Sequence, residues 1–340
     1  MKKIPLLIIS FFMFSSIVNA SYVLIDKDTN RVLLSNNKDE KKLIASITKV
    51  MTAYIVIKNV KNLNDEITLT KDHINSHGSM IYLSDGEKLK VIDLLYGLLL
   101  RSGNDAATAL AIYTSGSIDE FVKLMNYEAK NIGMLNTHFE NPTGLDDENT
   151  KNISTAYDMA ILTSKAMENK DFRKIFKTKK YKCKSNIKSF SWTNKNKTLF
   201  MDKHINGGKT GYTKKSKRTL ITSYKRDNIN LIMVTLNHSD DFNFHVNSYK
   251  NIINSYNKYL IINKNNLNIE DTYYKKKYNV KFYTNDNYHL LLKNNEFKNI
   301  SIIYTLFKNK NIRNNSVVGY LTVYSRNKPI HEDNIYISVK

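Results

Sequence analysis

The chain has 340 residues, enough for two domains, and 41% of them are apolar, which supplies a core and excludes a globally disordered protein. The formal net charge is +21, but Lys and Arg are spread along the chain rather than clustered. That spread argues against a nucleic-acid partner and leaves electrostatic attraction to an anionic membrane or wall as the use open to the charge. Cys183 is the only cysteine, so no intrachain disulfide can form and the fold must rest on its core.

Lys2 and Lys3 precede an apolar stretch over 4–18, broken only by Pro5, Ser10, Ser15 and Ser16, and Val18-Asn19-Ala20 supplies small residues for cleavage before Ser21. This is the pattern of a secretory signal peptide over 1–20. The stretch is shorter than the ~20 residues a spanning helix needs. No later segment is long and apolar enough to span, so the mature chain is expected outside the cytoplasm, in the periplasm or on the extracellular face of the cytoplasmic membrane.

Two strands follow, over 22–26 and 31–34, around the turn Lys27-Asp28-Thr29-Asn30. Residues 46–59 read as an apolar helix, and 91–101 as another that stops near Gly103. A third helix starts at Asn104 or Asp105, both good N-caps, and runs to Ser115. Ser117-Ile118-Asp119-Glu120 has the form of a capping box and opens a helix ending at Gly133, with a further helix over 157–167. Strands are predicted over 219–224 and 230–236, then a closing helix over 244–260. Short strand-like runs at 278–283, 289–292, 300–306, 316–324 and 334–339, separated by Asn, Lys and Asp, predict an all-β domain. The class is therefore α+β, with domains over 21–262 and 263–340 and no internal repeat.

Three clusters carry chemistry. Ser46-Ile47-Thr48-Lys49 opens the apolar helix, with Lys49 one turn from Ser46 on the same face. Ser-x-x-Lys alone is uninformative here, because it recurs at Ser35, Ser185 and Ser255. What distinguishes Ser46 is the buried helix behind it. A serine hydroxyl is a poor nucleophile until a neighbour takes its proton, and a desolvated lysine near other cations can be that neighbour. The helix start also offers N–H groups to a developing oxyanion. Read blandly, the pair is an N-cap serine and a snorkelling lysine.

Ser102-Gly103-Asn104 lies between two helices, where a hydroxyl can relay a proton and an amide can hold a peptide; alone it reads as a helix-linking turn. Lys209-Thr210-Gly211, followed by Tyr212, offers a cation and a hydroxyl to a carboxylate, and Gly211 lets a peptide approach the strand. Alone it reads as a basic loop. The first residues of the three clusters are 56 (46 to 102) and 107 (102 to 209) positions apart, and the ordered set Ser-x-x-Lys, Ser-x-Asn, Lys-Thr-Gly is the pattern of penicillin-binding proteins and class A β-lactamases.

The chain resembles the low-molecular-mass penicillin-binding proteins, the serine-type D-alanyl-D-alanine carboxypeptidases. The likeness extends to Ala45 through Thr52, to Arg101-Ser102-Gly103-Asn104-Asp105-Ala106, to Asn141-Pro142-Thr143-Gly144-Leu145 with Ser154-Thr155-Ala156-Tyr157-Asp158, and to 315–339. It implies a transpeptidase-like catalytic domain, an antiparallel sheet with a helical cluster, followed by a small β sandwich. It implies that Ser46 attacks the penultimate D-alanine carbonyl with Lys49 as base. Ser102 and Lys49 assist the leaving amine, Asn104 positions the peptide, and Lys209 with Thr210 holds the terminal carboxylate. N–H groups of Ser46 and Tyr212 form the oxyanion hole. Peptidoglycan stem peptides are the implied partners, β-lactams the implied covalent inhibitors, and no cofactor is called for.

The chain departs from that pattern at Lys214-Lys215-Ser216-Lys217-Arg218, where small residues and an acidic one are usual, and at Asn237-His238-Ser239, where a Gly-Gly-Arg-like turn is common. It stops after a strand, so no amphipathic anchor helix is expected. A murein endopeptidase uses the same catalytic set. A class A β-lactamase would need a carboxylate base, for which Glu140 is the candidate. A non-catalytic wall-binding protein would explain the charge but not the intact clusters. Cys183 lies between Lys182 and Lys184, whose charges would lower a thiol pKa, but it lacks a cysteine-protease context and reads as a bystander. His73 and His77 have helical spacing without a third ligand, and no metal site is expected.

Overall fold

The structure, a computed structural model, describes residues 20–146, 150–271, 273–274, 280–309 and 312–339. The predicted signal peptide therefore lies, Ala20 apart, outside the described residues. The chain divides into two compact units, Met1–Arg226 with Asn230–Val246, and Asp227–Ile229 with Asn247–Lys340.

The first unit is built on a five-stranded sheet of β1 (Ser21–Asp26), β2 (Val32–Asn36), β3 (Ile205–Thr213), β4 (Lys217–Arg226) and β5 (Ile229–Leu236), in the order β2-β1-β5-β4-β3. The amino-terminal hairpin thus joins the sheet through β1 against β5, from Ser21 opposite Leu236 to Asp26 opposite Leu231. This long-range pairing leaves β3, which carries Lys209-Thr210-Gly211, at the edge of the sheet.

The helical cluster comprises α1 (Lys49–Asn59), α2 (Val91–Tyr96), α3 (Asn104–Ser115), α4 (Ile118–Asn131), α5 (Ala156–Ala166) and α6 (Lys170–Phe176). Helix α1 buries Val50, Met51, Ala53, Ile55 and Val56 completely, as expected of a helix apolar on nearly all sides. Its neighbour α3 is alanine-rich, and Ala106, Ala107, Ala109 and Ala111 are buried without bulk, which lets α1, α2 and α4 pack around it. Ser117 caps α4, its Oγ accepting the Glu120 N–H at 3.2 Å.

Three elements differ from the sequence reading. The helix predicted from Ser46 begins as a 3-10 turn, Ala45–Thr48, and becomes α-helical at Lys49. The helix predicted over 91–101 turns into a π turn at Gly97–Arg101 and ends at Ser102 with φ 66°. The closing helix, α7 (Asp241–Ser255), ends earlier than predicted, and Asn257–Ile262 is instead a strand, β6. The Tyr259-Leu260-Ile261-Ile262 run suits a pleated surface better than a helix. Also unpredicted is the hairpin Lys180–Lys184 against Ser189–Thr193, whose Trp192 and Phe190 are buried.

The second unit is all-β. Strands β7 (Val280–Tyr283), β8 (Tyr288–Leu292), β9 (Ile300–Leu306), β10 (Val317–Ser325) and β11 (Lys328–Val339) form a β6-β8 pair and a four-stranded sheet ordered β7-β11-β10-β9. A core of Ile262, Phe282, Val318, Leu321, Val323, Ile335 and Ile337 joins them.

His245, on α7, is fully buried, with Nδ1 2.7 Å from Thr222 Oγ1 and Nε2 3.1 Å from Thr235 Oγ1. Burial, reinforced by His238, holds this imidazole well below its ordinary pKa. The unfolded chain takes up a proton near pH 6.5 that the folded chain refuses, so stability is full above that pH and falls below it. Urea unfolding is expected to give a lower midpoint at pH 5.5 than at pH 7.5, and His245→Gln a smaller difference. An equal difference in both proteins would show that His245 is not responsible.

Candidate active site

The three sequence clusters converge. Ser46, Ser102, Thr210, Gly211 and Tyr212 line one cleft of about 380 Å³, together with Ser79, Lys195, Lys197, Arg218, Asp241 and Phe242. Ser46 lies in the 3-10 turn, directly after Ala45 at φ 48°, a left-handed conformation that costs an alanine about 1–2 kcal/mol. The surroundings hold it there. Thr219 Oγ1 on β4 donates to Ile44 O at 3.0 Å, pinning the segment before the serine to the sheet.

Lys49 is wholly buried at the first position of α1. Its Nζ stands 3.1 Å from Ser46 Oγ and 2.7 Å from Asn104 Oδ1, and also donates to the Thr143 carbonyl. Burial, together with the charge of Lys195 and against that of Asp105, lowers its pKa to about 7. A neutral amine has two N–H donors and one lone pair. With Asn104 Oδ1 and Thr143 O accepting the two donors, the lone pair faces the Ser46 hydroxyl.

Lys209 is the second buried lysine. From β3 its Nζ donates to Ser102 Oγ at 3.0 Å and to Thr210 O at 2.6 Å. Burial first, then Lys49 and Lys195, holds its pKa well below the usual lysine value. Ser102 reaches it from the left-handed residue that ends the π turn, an arrangement the helical reading of 91–101 did not foresee.

Asn104 is occupied at both ends of its carboxamide, since Nδ2 also donates to His77 O at 2.5 Å. Thr210 is half-buried on the edge strand, whereas the Tyr212 side chain is 64% exposed at the mouth of the cleft. At Gly211 a Cβ would lie 2.4 Å from Thr219 Oγ1 and 3.0 Å from the Ser46 nitrogen, so only glycine lets β3 run this close to the serine.

Several supporting residues were not singled out from the sequence as parts of the site. Asn141 Oδ1 accepts from Thr143 N at 3.1 Å, Thr143 Oγ1 at 2.9 Å and Gly144 N at 2.7 Å, forming an Asx turn that fixes the carbonyl facing Lys49. Asn152 Nδ2 ties this loop to Thr48 Oγ1 at 3.0 Å. Buried Asp105 accepts the N–H groups of Ile81 and Leu83 at 3.1 Å each, holding the segment that carries His77 and Ser79. Lys195, exposed at the cleft, donates to Ser79 Oγ at 3.2 Å. Asn141 and Asp105 belonged to recognisable stretches, but nothing set Lys195 apart among 52 Lys and Arg residues.

Other candidates stand elsewhere. Glu140 accepts the Lys151 N–H at 2.6 Å and does not line the cleft. His73 Nδ1 lies 3.1 Å from the Thr70 N–H as part of a helix cap. The Cys183 thiol is pushed up to about 12 by burial, with Asp93 and Glu87 adding to it, so its lysine neighbours do not activate it. Among the described residues no group of three His, Cys, Asp or Glu side chains could hold a metal.

Residues 13–240 match the family described as D-alanyl-D-alanine carboxypeptidase, and 256–340 the C-terminal domain of penicillin-binding protein 5. The chain is 37% identical over 219 residues to D-alanyl-D-alanine carboxypeptidase DacF of Bacillus subtilis, covering 63% of this chain and 56% of that protein. It is 34% identical over 233 residues to D-alanyl-D-alanine carboxypeptidase DacC of Escherichia coli, covering 65% and 57%. The chain thus spans little more than half the length of these relatives. Penicillin-binding protein 5 of Haemophilus influenzae superimposes with a TM-score of 0.77 at 26% identity, over 93% of this chain and 95% of that one.

Gly144, at φ 79°, packs so closely that a Cβ would fall 2.0 Å from Ala45 O. Gly144→Ala is expected to lower the unfolding free energy by at least about 1–2 kcal/mol from the left-handed backbone alone. Urea unfolding measures this, and unchanged stability would mean that the loop does not hold Ala45.

Proposed function

The chain belongs to the D-alanyl-D-alanine carboxypeptidase family, and on that premise we propose that it is an exported enzyme removing the terminal D-alanine from peptidoglycan stem peptides through an acyl-Ser46 intermediate. One observation carries the reading: a fully buried lysine whose Nζ stands 3.1 Å from a cleft serine, with its other two neighbours both acceptors.

In the proposed sequence the Ser46 hydroxyl donates its proton to neutral Lys49 as Oγ attacks the penultimate carbonyl. The N–H groups of Ser46 and Tyr212 receive the oxyanion. The C–N bond breaks, and the leaving D-alanine nitrogen takes a proton delivered from Lys49 and Ser102. Lys209, 3.0 Å from Ser102 Oγ, keeps that hydroxyl in place and, with Thr210, holds the terminal carboxylate by hydrogen bonds. Water then hydrolyses the ester. Asn104, 1% exposed and not part of the cleft lining, acts first as an orienter of Lys49, to which its Oδ1 is bound, and positions the peptide through that lysine. Because β3 is an edge strand, a peptide can lie along it as an added strand. Glu140, outside the cleft, gives no carboxylate for the deacylation that a class A β-lactamase needs. Among the described residues no helix is long and apolar enough to cross a membrane, and the net charge of +21 would favour contact with an anionic wall or membrane surface.

Two experiments test the reading. Benzylpenicillin is expected to add covalently to Ser46, seen as an adduct by mass spectrometry and lost in Ser46→Ala; no adduct on the intact protein would sink the acyl-enzyme. A muramyl pentapeptide is expected to release D-alanine faster than a cross-linked dimer releases monomer, the reverse order indicating an endopeptidase.

The base must be neutral, so kcat/KM is expected to rise with pH through about 7. Lys195 lowers the Lys49 pKa, so Lys195→Gln should move that rise to higher pH. An unmoved profile would remove Lys195 from this role.

A further inference from the structure

The cleft holds a cation that the three motifs do not account for. Arg218 stands on β4, opposite Tyr212, while Thr210 stands opposite Leu220. Directly opposed residues of an antiparallel pair share a face, so Arg218, Tyr212 and Thr210 point to the same side of the ladder. Thr210 and Arg218 are diagonal neighbours on that face, about 7–8 Å apart at the backbone and within reach of a long side chain. Both line the cleft beside Ser46.

The guanidinium is fixed rather than free to wander. Its Nε and Nη2 donate to Asp241 Oδ1 at 3.1 and 2.5 Å, and it lies over the Phe242 ring at 4.8 Å. The Asp241 side chain is only 2% exposed, whereas that of Arg218 is 40% exposed. Holding a carboxylate that deep is costly unless a cation is bound to it. The contacts leave Nη1 with no protein partner among the described residues. An oriented, charged fork with one edge open matches a carboxylate in shape and charge, which a surface lysine does not.

We propose that Arg218, held by Asp241 and Phe242, is a specificity-determining residue that receives the free terminal carboxylate of the peptide beside Thr210. The inference rests on the carboxypeptidase reading and deepens it. A stem peptide ending in a free carboxylate satisfies both the hydroxyl and the guanidinium. A peptide whose leaving residue carries an amide in place of that carboxylate leaves the guanidinium without a counter-charge.

The test compares two synthetic peptides, one ending in D-Ala-D-Ala as the free acid and one in the corresponding C-terminal amide, on the intact protein, Arg218→Gln, Arg218→Lys and Asp241→Asn. The readout is the ratio of kcat/KM for acid over amide, which does not depend on the fraction of protein that is folded. Loss of a charged hydrogen-bond partner is expected to reduce that ratio by about ten- to a hundredfold in Arg218→Gln. Arg218→Lys, which keeps the charge and loses the fork, and Asp241→Asn, which frees the fork, are expected to give intermediate ratios. An unchanged ratio in Arg218→Gln, with the intact protein active, would overturn the assignment and leave the carboxypeptidase reading standing. An intact protein that cleaves neither peptide and takes no benzylpenicillin would overturn that reading and this inference with it.

Discussion

The whole first unit is arranged around one costly placement, the Lys49 ammonium nitrogen taken completely out of water. An isolated buried charge is so unfavourable that the group neutralises instead. Here that tendency is put to use. Asn104 and Thr143 accept the two protons a neutral amine can give, and the remaining lone pair faces Ser46. Each partner depends on further structure. The Thr143 carbonyl is aimed by the Asn141 turn, Asn141 is tied through Asn152 to Thr48, and Thr48 lies in the turn that carries Ser46. The loop and the nucleophile turn therefore hold one another in place.

A second buried lysine stands beside the first. Burial and then Lys49 depress the tendency of Lys209 to be charged, and Lys195 acts on both lysines. Three lysines near one cleft would repel each other in water only weakly, but burial lowers the dielectric and strengthens the effect. Each of the two buried lysines has a serine within hydrogen-bond reach, Ser46 for Lys49 and Ser102 for Lys209. The two pairs come from different layers, the first from the helical cluster and the second from the sheet edge together with the end of a π turn. Two left-handed residues, Ala45 and Ser102, sit at these junctions, where strain is tolerated because packing on several sides fixes the backbone.

Much of this was legible along the chain because it is local. The spacing of Ser46 and Lys49 puts both on one helical face, and the apolar run behind them announces burial. Gly211 marked a close approach before any partner for it was known. The end of the closing helix is not legible, because periodicity cannot distinguish a helix end from a short strand whose partner, Tyr288–Leu292, lies far along the chain. The hairpin carrying Trp192 does carry a local signal, since Lys-Tyr-Lys-Cys-Lys and Ser-Phe-Ser-Trp-Thr both alternate strictly, as half-buried strands do.

The sequence by itself determined the class of chemistry, for the three clusters, their order and the apolar helix are properties of residue type and spacing. It determined the two-part organisation through the change from helical to strand-like patterning. Only the tertiary structure decided which charges act on one another. Nothing in the sequence distinguishes Lys195 from the chain's other cations, and Arg218 is marked there only as the end of an unusually basic run; both are set apart by what packing and long-range pairing bring beside them. Electrostatic strength depends on separation and on the exclusion of water, and both are fixed only when distant segments pack.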